Sequence, residues 1–183
     1  MSDQIANFPR ICPAGDQAMV VELAADISRQ SNSQVRHLDA ALRSADWPEI
    51  VDTVPSYRSL LIYYDPIQIQ FVQLAEKVNE LYRSPSASGM RSKRWRLPVL
   101  YGEECVDDLQ QLARQVGLDT DRIVAIHTSV EYMVYMVGFS PGFAYLGELP
   151  PTLEVPRKLV PARSVPANSI QVGGAQTAVS SMP

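Results

Sequence analysis

Apolar residues in the first half of the chain follow two periods, which predict two kinds of element. Alternating or continuous strand-like runs fall at residues 18–23, 50–54 and 57–64. Helical spacing of three and four falls at residues 35–45 and 71–82. The resulting order, β-α-β-β-α over residues 10–83, predicts a ferredoxin-like split βαβ layer with helices packed on one face of a sheet.

The pattern changes at residues 84–94, where small and polar side chains predominate and predict a linker. The chain therefore divides into a small α/β domain at 1–83 and a second domain at 95–183. In the second domain we expect a strand at 97–101 and two helices, followed by a strand at 134–137. Beyond residue 150, closely spaced prolines separate short strand-like pieces, at residues 153–155, 158–160 and 169–172. This punctuation favours an irregular β-barrel over a flat sheet.

Composition and charge narrow the class of protein. Apolar residues make up 46% and charged residues 20%, the net charge is −4 and the pI is about 5.2, which is typical of a globular protein and argues against nucleic acid as a partner. The four cations in residues 91–96 indicate a solvated linker, or else a small nucleic-acid or membrane patch. With two cysteines, no signal peptide and no long apolar run, we expect a cytoplasmic protein that does not span a membrane.

An aromatic turn is the most informative stretch of the sequence. The apolar run from Val134 enters a segment in which glycines and a proline alternate with large rings: Gly138, Phe139, Pro141, Gly142, Phe143, Tyr145 and Gly147. Ser-Pro-Gly forces a sharp turn, since proline fixes φ and glycine tolerates a positive φ. Two interpretations stay open, a buried hairpin corner and a functional cleft on a rigid scaffold.

The two histidines are candidates for acid–base chemistry. His37 lies in a polar run of the first helix, which indicates a surface residue. His127 follows Ile126 on an apolar helix just before the aromatic strand, so it is either a core histidine or a general acid–base. No second histidine or cysteine stands at ligand spacing from His127, so no metal site is predicted.

Cations and glycines near the C-terminal end offer a second set of candidates. Arg157, Lys158 and Arg163 are either surface charges or a clamp for a carboxylate or phosphate. The run Gly173–Thr177 is either a tight turn or a group of backbone N–H donors beside the Gln176 amide. No dinucleotide or P-loop glycine motif occurs, so no nucleotide site is expected in this chain.

Several stretches together resemble the bacterial 5-oxoprolinase B-type subunit family, also called allophanate hydrolase subunit 1 or KipI-like. The resemblance extends from about residue 9 to the end, and the Gly-Phe-Ser-Pro-Gly-Phe-Ala-Tyr-Leu-Gly block at 138–147 is its most specific part. The other matching stretches are residues 15–18, 54–61, 64–66, 127–137, 165–169 and 173–177.

The resemblance implies a cyclophilin-like β-barrel for the second domain and a partnership with two further subunits, a KipA-like C-type subunit and an A-type subunit. Such a complex opens the lactam of 5-oxo-L-proline to L-glutamate and hydrolyses ATP, which the complex binds and this chain does not; the chain alone is expected to be inactive. Two alternatives stay open: a KipI-type inhibitor of a sensor histidine kinase, and a carboxyltransferase-type half of a urea carboxylase or allophanate system.

Position near the aromatic turn suggests the site residues. His127 and Arg163 are the candidate catalytic residues, and the candidate substrate-binding residues are Phe139, Gly142, Phe143, Tyr145, Arg157 and Gln176. One departure from the family pattern is Ala178, which occupies a position where glycine is common. The Gly-rich continuation of the family is also missing, so the barrel is expected to be unclosed in this chain or completed by a partner.

Overall fold

Two antiparallel sheets organise the chain, one in each of two units that divide between Ser92 and Lys93. The computed structural model describes residues 8–84, 92–102, 106–160 and 164–183. No helix within these ranges is long and apolar enough to cross a bilayer.

The first unit is a four-stranded sheet with two helices. Its elements are β1 (Arg10–Pro13), β2 (Ala18–Glu22), α1 (Arg29–Ala45), β3 (Ile50–Pro55), β4 (Ser59–Tyr64) and α2 (Phe71–Arg83). The strand order is β1-β2-β4-β3 and every neighbouring pair is antiparallel. Strands β2 and β3 therefore run in the same direction with β4 between them, which is the split βαβ arrangement expected from the sequence.

Apolar side chains on one face of this sheet meet both helices. Met19 and Val21 of β2 alternate inward, as do Leu60 and Ile62 of β4, and all four are fully buried. They pack with helix residues at three- and four-residue spacing, Val35, Leu38, Leu42, Leu74 and Val78. The two periods read from the sequence thus converge on a single core.

The start of α1 is fixed by polar contacts. Ser28 is the N-cap, and its hydroxyl accepts a hydrogen bond from the backbone N–H of Ser31 at 3.0 Å. One residue further, the fully buried Asn32 donates from Nδ2 to the carbonyls of Ser56 and Tyr57, at 3.1 and 3.2 Å. Asn32 therefore ties the β3–β4 turn to the helix.

Strand β1 is an element that the sequence analysis did not predict. Its four residues end at Pro13 and pair with β2 at the edge of the sheet, from Arg10↔Glu22 to Pro13↔Met19. A run this short carries little periodicity. Its position is set by tertiary pairing with β2, not by local pattern.

The second unit carries two helices before its sheet. Its elements are α3 (Val106–Val116), α4 (Thr120–Thr128), β5 (Met133–Val137), β6 (Ala144–Gly147), a short 3₁₀ turn (Pro151–Leu153), β7 (Ile170–Gly173) and β8 (Gln176–Val179). Asp119 is the N-cap of α4, and its carboxylate accepts from the backbone N–H of Arg122 at 2.7 Å. A small buried cluster joins the helices to the 3₁₀ turn through Ile123, Leu149 and Leu153.

The resemblance implied a cyclophilin-like barrel, unclosed in this chain or completed by a partner; the strands of the described residues do not close, and the barrel is not confirmed. The four strands form an open antiparallel sheet in the order β5-β6-β8-β7, so β5 and β7 are edges. The strand expected at Leu97–Tyr101 is also wrong, because residues 92–102 have no regular structure and Leu97 is 58% exposed. Without a neighbouring strand, the apolar alternation of this segment does not suffice to form one.

The short strand-like pieces after residue 150 are mostly irregular. Leu153 lies in the 3₁₀ turn, and Val155 makes an isolated antiparallel bridge to Gly174. Residues 158–160 form no strand, and Leu159 is fully exposed. The piece predicted at 169–172 is confirmed as β7.

Candidate functional site

The Ser-Pro-Gly segment closes the hairpin between β5 and β6. The backbone N–H of Phe143 donates to the Ser140 carbonyl at 3.1 Å, and that of Gly138 donates to the Phe143 carbonyl at 3.0 Å. Pro141 and Gly142 occupy the two central positions of this turn, and Gly142 has a φ of 78°. Proline followed by a positive-φ glycine is the arrangement of a type II turn.

The rings of the aromatic turn form a ladder from the exposed Phe139 through the buried Phe143 to the partly buried Tyr145. Phe139 is 90% exposed, whereas Phe143 is 8% exposed. Their centroids lie 5.6 Å apart edge to face, and the Phe143 ring lies 4.8 Å from that of Tyr145 in a tilted contact. The sequence left two interpretations of this turn open, a buried hairpin corner and a functional cleft. Neither describes all three rings, because Phe139 is exposed and Phe143 is buried.

Two backbone features support this corner. Phe139 itself has a φ of 72°, a left-handed conformation that costs a non-glycine residue roughly 1–2 kcal/mol. A Cβ on Gly142 would lie 3.2 Å from the side chain of Ser181, whose hydroxyl donates to the Pro141 carbonyl. Gly142, predicted as a binding residue, is therefore required by the turn and its contact with the C-terminal segment.

His127 is buried on α4, with both ring nitrogens close to hydroxyl groups. Its Nδ1 lies 2.6 Å from the Tyr101 hydroxyl, and its Nε2 lies 3.5 Å from the Thr177 hydroxyl on β8. The side chain is 7% exposed. The sequence pattern did not identify Tyr101 or Thr177 as partners, because they lie 26 and 50 residues away.

The hydroxyl partners define the protonation state of the ring. Thr177 donates its own proton to the Gln171 carbonyl at 2.9 Å, so towards His127 it can only accept. The proton of the imidazole therefore belongs on Nε2, and Nδ1 accepts from Tyr101. Burial lowers the pKa of His127 below the usual 6.5, which favours this neutral form.

Tyr132 completes the surroundings of the imidazole. Its hydroxyl donates to the backbone carbonyl of His127 at 2.9 Å, and the two rings lie 5.1 Å apart. Burial, with a smaller contribution from Tyr101, raises the pKa of Tyr132 to about 12. Both shifts favour the uncharged forms of His127 and Tyr132 in the cluster that Tyr101, His127, Tyr132 and Thr177 form. We call it the His127 cluster.

The predicted cations occupy different environments. Arg157 is exposed, and its aliphatic stem would lie 3.4 Å from a Cβ placed on Gly173. Lys158 forms an ion pair with Asp108 at 2.5 Å. Arg163, a predicted catalytic residue, lies outside the described residues.

Strand register connects the remaining candidates. Gln176 pairs with Gly173 at the β7–β8 turn, where Arg157 passes, and Thr177 follows on the same strand. Across the next pair of strands, Tyr145 lies opposite Ala178. Side chains alternate along these strands, so Gln176, Ala178 and Tyr145 lie on one face of the sheet, whereas Thr177, which contacts His127, lies on the other face with Leu146 and Val172.

An open surface depression lies elsewhere in the described residues, in the first unit between β1 and α2. Its volume is about 430 Å³, and it is lined by Phe8, Pro9, Ile11, Phe71, Val72, Ala75, Glu76, Asn79 and Arg83. None of these was predicted as a site residue. In the described parts of both units, no three His, Cys, Asp or Glu side chains cluster closely enough to hold a metal ion.

The chain is similar to known proteins over nearly its whole length. Residues 9–183 match a family described as carboxyltransferase domain, subdomain C and D. The B-type subunit of 5-oxoprolinase from Escherichia coli O157:H7 is 33% identical over 165 residues, which are 90% of this chain and 75% of that protein. The protein of the same name from Bacillus subtilis strain 168 is 32% identical over 90% of this chain and 73% of its own.

Solved structures share the fold. The crystal structure of the protein TTHA0988 is 32% identical, with a TM-score of 0.79, and the match covers 91% of this chain but only 33% of that one. The Kluyveromyces lactis urea carboxylase is 14% identical with a TM-score of 0.65, over 94% of this chain and 18% of that one, which is a likeness of fold alone. This chain thus corresponds to about one third of the first structure and a smaller part of the second.

Proposed function

Since this chain belongs to the carboxyltransferase domain family of subdomains C and D, in which its curated relatives are B-type subunits of 5-oxoprolinase, we propose that it serves in the same place in such an enzyme. The proposed reaction opens the lactam of 5-oxo-L-proline to give L-glutamate. The observation that carries the proposal is the identity of about one third, 32–33%, with three proteins of this name over 90–92% of the chain.

The proposed ligand site lies at the β7–β8 turn, where Gln176, on the Tyr145 face of the second sheet, adjoins Thr177, which contacts His127 on the other face. 5-Oxo-L-proline has a flat lactam ring and a carboxylate. The exposed face of the aromatic ladder offers an apolar surface for the ring, and the exposed guanidinium of Arg157 is suited to the carboxylate. Gln176 pairs with Gly173, beside which the stem of Arg157 passes, so we assign the Gln176 amide to the same proposed contact.

Acid–base chemistry in this proposal belongs to the His127 cluster. Hydrolysis of an amide requires removal of a proton from the attacking water and delivery of a proton to the departing nitrogen. His127, neutral and hydrogen-bonded to a phenol, is suited to both transfers. Arg163, six residues after Arg157 in the sequence, is proposed to stabilise the negative charge of the tetrahedral intermediate.

ATP and the partner subunits complete the proposal. Because the sequence holds no glycine motif for phosphate, ATP would bind to another protein of the complex. The proposed partners are A-type and C-type subunits, since the B-type name of the relatives implies further components. A histidine kinase is not part of this proposal.

The proposal is tested by reconstitution. The chain is co-expressed with A-type and C-type subunits, and glutamate released from 5-oxo-L-proline is measured with and without ATP. Preparations that lack this chain are the control. We expect turnover only when all three components and ATP are present. An equal rate without this chain would exclude it from the enzyme.

The family description favours one second candidate, a carboxyltransferase role. In that case the sheet would receive a carboxyl group from a biotin carrier and pass it to an amide or urea nitrogen. Incubation of the purified assembly with carboxybiotin and urea distinguishes the two. Loss of the biotin-bound carboxyl group in a urea-dependent manner would favour this candidate.

A further inference from the structure

Tyr101 and His127, which are hydrogen-bonded to each other, differ in their exposure to solvent. His127 is 7% exposed, and both of its ring nitrogens already face hydroxyl groups. Tyr101 is only partly buried and lies on the irregular segment 92–102. Tyr101 is thus the more exposed of the two hydrogen-bonded residues.

We propose that Tyr101 is the catalytic residue that meets the ligand, and that it exchanges protons with His127 behind it. This inference rests on the proposed function, because it assigns the acid–base step of lactam hydrolysis to a particular hydroxyl. His127 then acts through Tyr101 as a positioning and proton-holding residue. From the sequence, His127 was a candidate catalytic residue, with a core histidine as the alternative.

The proton transfers balance in both halves of the reaction. A water proton passes to the Tyr101 oxygen while the phenolic proton passes across 2.6 Å to Nδ1 of His127, and the resulting hydroxide forms the new C–O bond. The imidazole becomes an imidazolium and the carbonyl oxygen an oxyanion. When the C–N bond breaks, the same path runs backwards: Nδ1 returns its proton to Tyr101, which protonates the departing ring nitrogen.

The surroundings of His127 support this direction of transfer. Its Nε2–H faces the Thr177 hydroxyl, which donates its own proton to the Gln171 carbonyl. Nδ1, the acceptor nitrogen, therefore faces Tyr101. Tyr101 and Tyr132 are the titratable side chains with ring contacts to His127 in the described part of the chain. Neither of these side chains is a carboxylate, so within the described residues no ring contact of His127 would hold the imidazolium in an ion pair.

The first experiment replaces the phenol with a phenyl ring in the reconstituted complex. Tyr101→Phe removes one oxygen and is expected to lower kcat about 100-fold or more, since a general acid–base contributes at least that factor. Tyr63→Phe is the matched control, because Tyr63 is a partly exposed tyrosine on β4 of the first unit. Gel filtration of each complex verifies that assembly is unchanged.

The second experiment tests His127 with a readout that a structural role would not change. In His127→Gln, the amide oxygen can still accept from Tyr101 and the amide N–H can still donate to Thr177, but the side chain no longer titrates. In the wild type, kcat is expected to fall about tenfold per pH unit below the pKa of His127, because a protonated Nδ1 cannot accept. In His127→Gln this acid limb should be absent and kcat low throughout.

The outcomes separate the two proposals. An active wild-type complex with an impaired Tyr101→Phe variant and the changed pH profile supports the relay. An active wild-type complex in which Tyr101→Phe and Tyr63→Phe have equal kcat overturns the relay and leaves the proposed function standing. A correctly assembled wild-type complex with no ATP-dependent turnover overturns the proposed function, and the relay with it.

Discussion

The ring of Tyr135 lies directly over Gly147, so closely that a Cβ on the glycine would be 2.0 Å from the ring carbon Cε2. Tyr135 is 5% exposed, and Gly147 ends the partner strand β6. The aromatic turn is thus held at its base by a contact that only glycine permits.

Replacement of Gly147 by alanine is expected to destabilise the second unit by about 3 kcal/mol, because the buried ring has to move. Gly138→Ala is the control, since a Cβ there would meet only the end of Met136 at 3.9 Å. Urea unfolding of both variants measures the difference. Equal midpoints would show that the ring moves freely.

The left-handed backbone of Phe139 gives a second prediction. Phe139→Gly and Phe139→Ala both lose the exposed ring, so they differ in backbone preference alone. We expect the glycine variant to be the more stable of the two by about 1 kcal/mol, since only glycine adopts a φ of 72° without cost. Thermal unfolding measures this difference, and a more stable alanine variant would contradict the assigned conformation.

Asn32 provides a prediction for the first unit. Asn32→Ala removes the donor to the Ser56 and Tyr57 carbonyls and is expected to lower the free energy of unfolding by about 2 kcal/mol. Ser33→Ala, at the next and partly exposed position of α1, should change it by less than about 0.5 kcal/mol. Chemical denaturation of the two variants makes the comparison. Similar losses would show that the β3–β4 turn is held by other contacts.

Stability should depend on pH through His127. Its pKa is lowered in the folded protein by burial, so the unfolded chain binds the proton more readily. The contribution of the neutral ring is therefore complete above pH 6.5, the ordinary value, and is lost as the pH falls through the lower folded pKa. Histidine side chains titrate between roughly pH 8 and 5. Unfolding curves recorded across that range measure how the free energy of unfolding changes with pH. His127→Gln should flatten this part of the profile, and an unchanged slope would assign it to other groups.

Arg157 and Lys158 allow a comparison of adjacent cations under the proposed function. Arg157→Gln removes an exposed guanidinium proposed to hold the substrate carboxylate, and should raise the KM for 5-oxo-L-proline about tenfold or more. Lys158→Gln breaks the ion pair with Asp108 and should leave KM nearly unchanged. Steady-state kinetics of the reconstituted complex measures both KM values. A larger increase in KM for Lys158→Gln than for Arg157→Gln would assign the substrate carboxylate to Lys158 instead.

Periodicity predicted the first unit well because its elements are long enough to show it. The inward alternation of β2 and β4 and the helical spacing of α1 and α2 are each visible locally, and the structure confirms them. Strand β1 is too short for such a signal. The apolar alternation at 97–101 predicted a strand wrongly, since a strand needs a neighbour and the described residues supply none there.

The candidate site was only partly visible in the sequence. The turn at Pro141 and Gly142 was predicted correctly, because proline followed by glycine favours a turn whatever the rest of the chain does. The hydrogen bonds of His127 to Tyr101 and Thr177 were not visible, because they join residues far apart in the chain. The roles given to His127, Arg163 and Arg157 stay predictions, as do the kinase-inhibitor and carboxyltransferase alternatives.

The anchoring of Thr177 has a consequence for local opening of the second sheet. Thr177 is 1% exposed, pairs with both β6 and β7, and holds the Gln171 carbonyl as well as His127. Amide protons along β8 should therefore exchange with deuterium far more slowly than the outward amides of β5 and β7. Deuterium uptake measured residue by residue would thus show whether the strand that contacts the imidazole is the part of the sheet that opens least often.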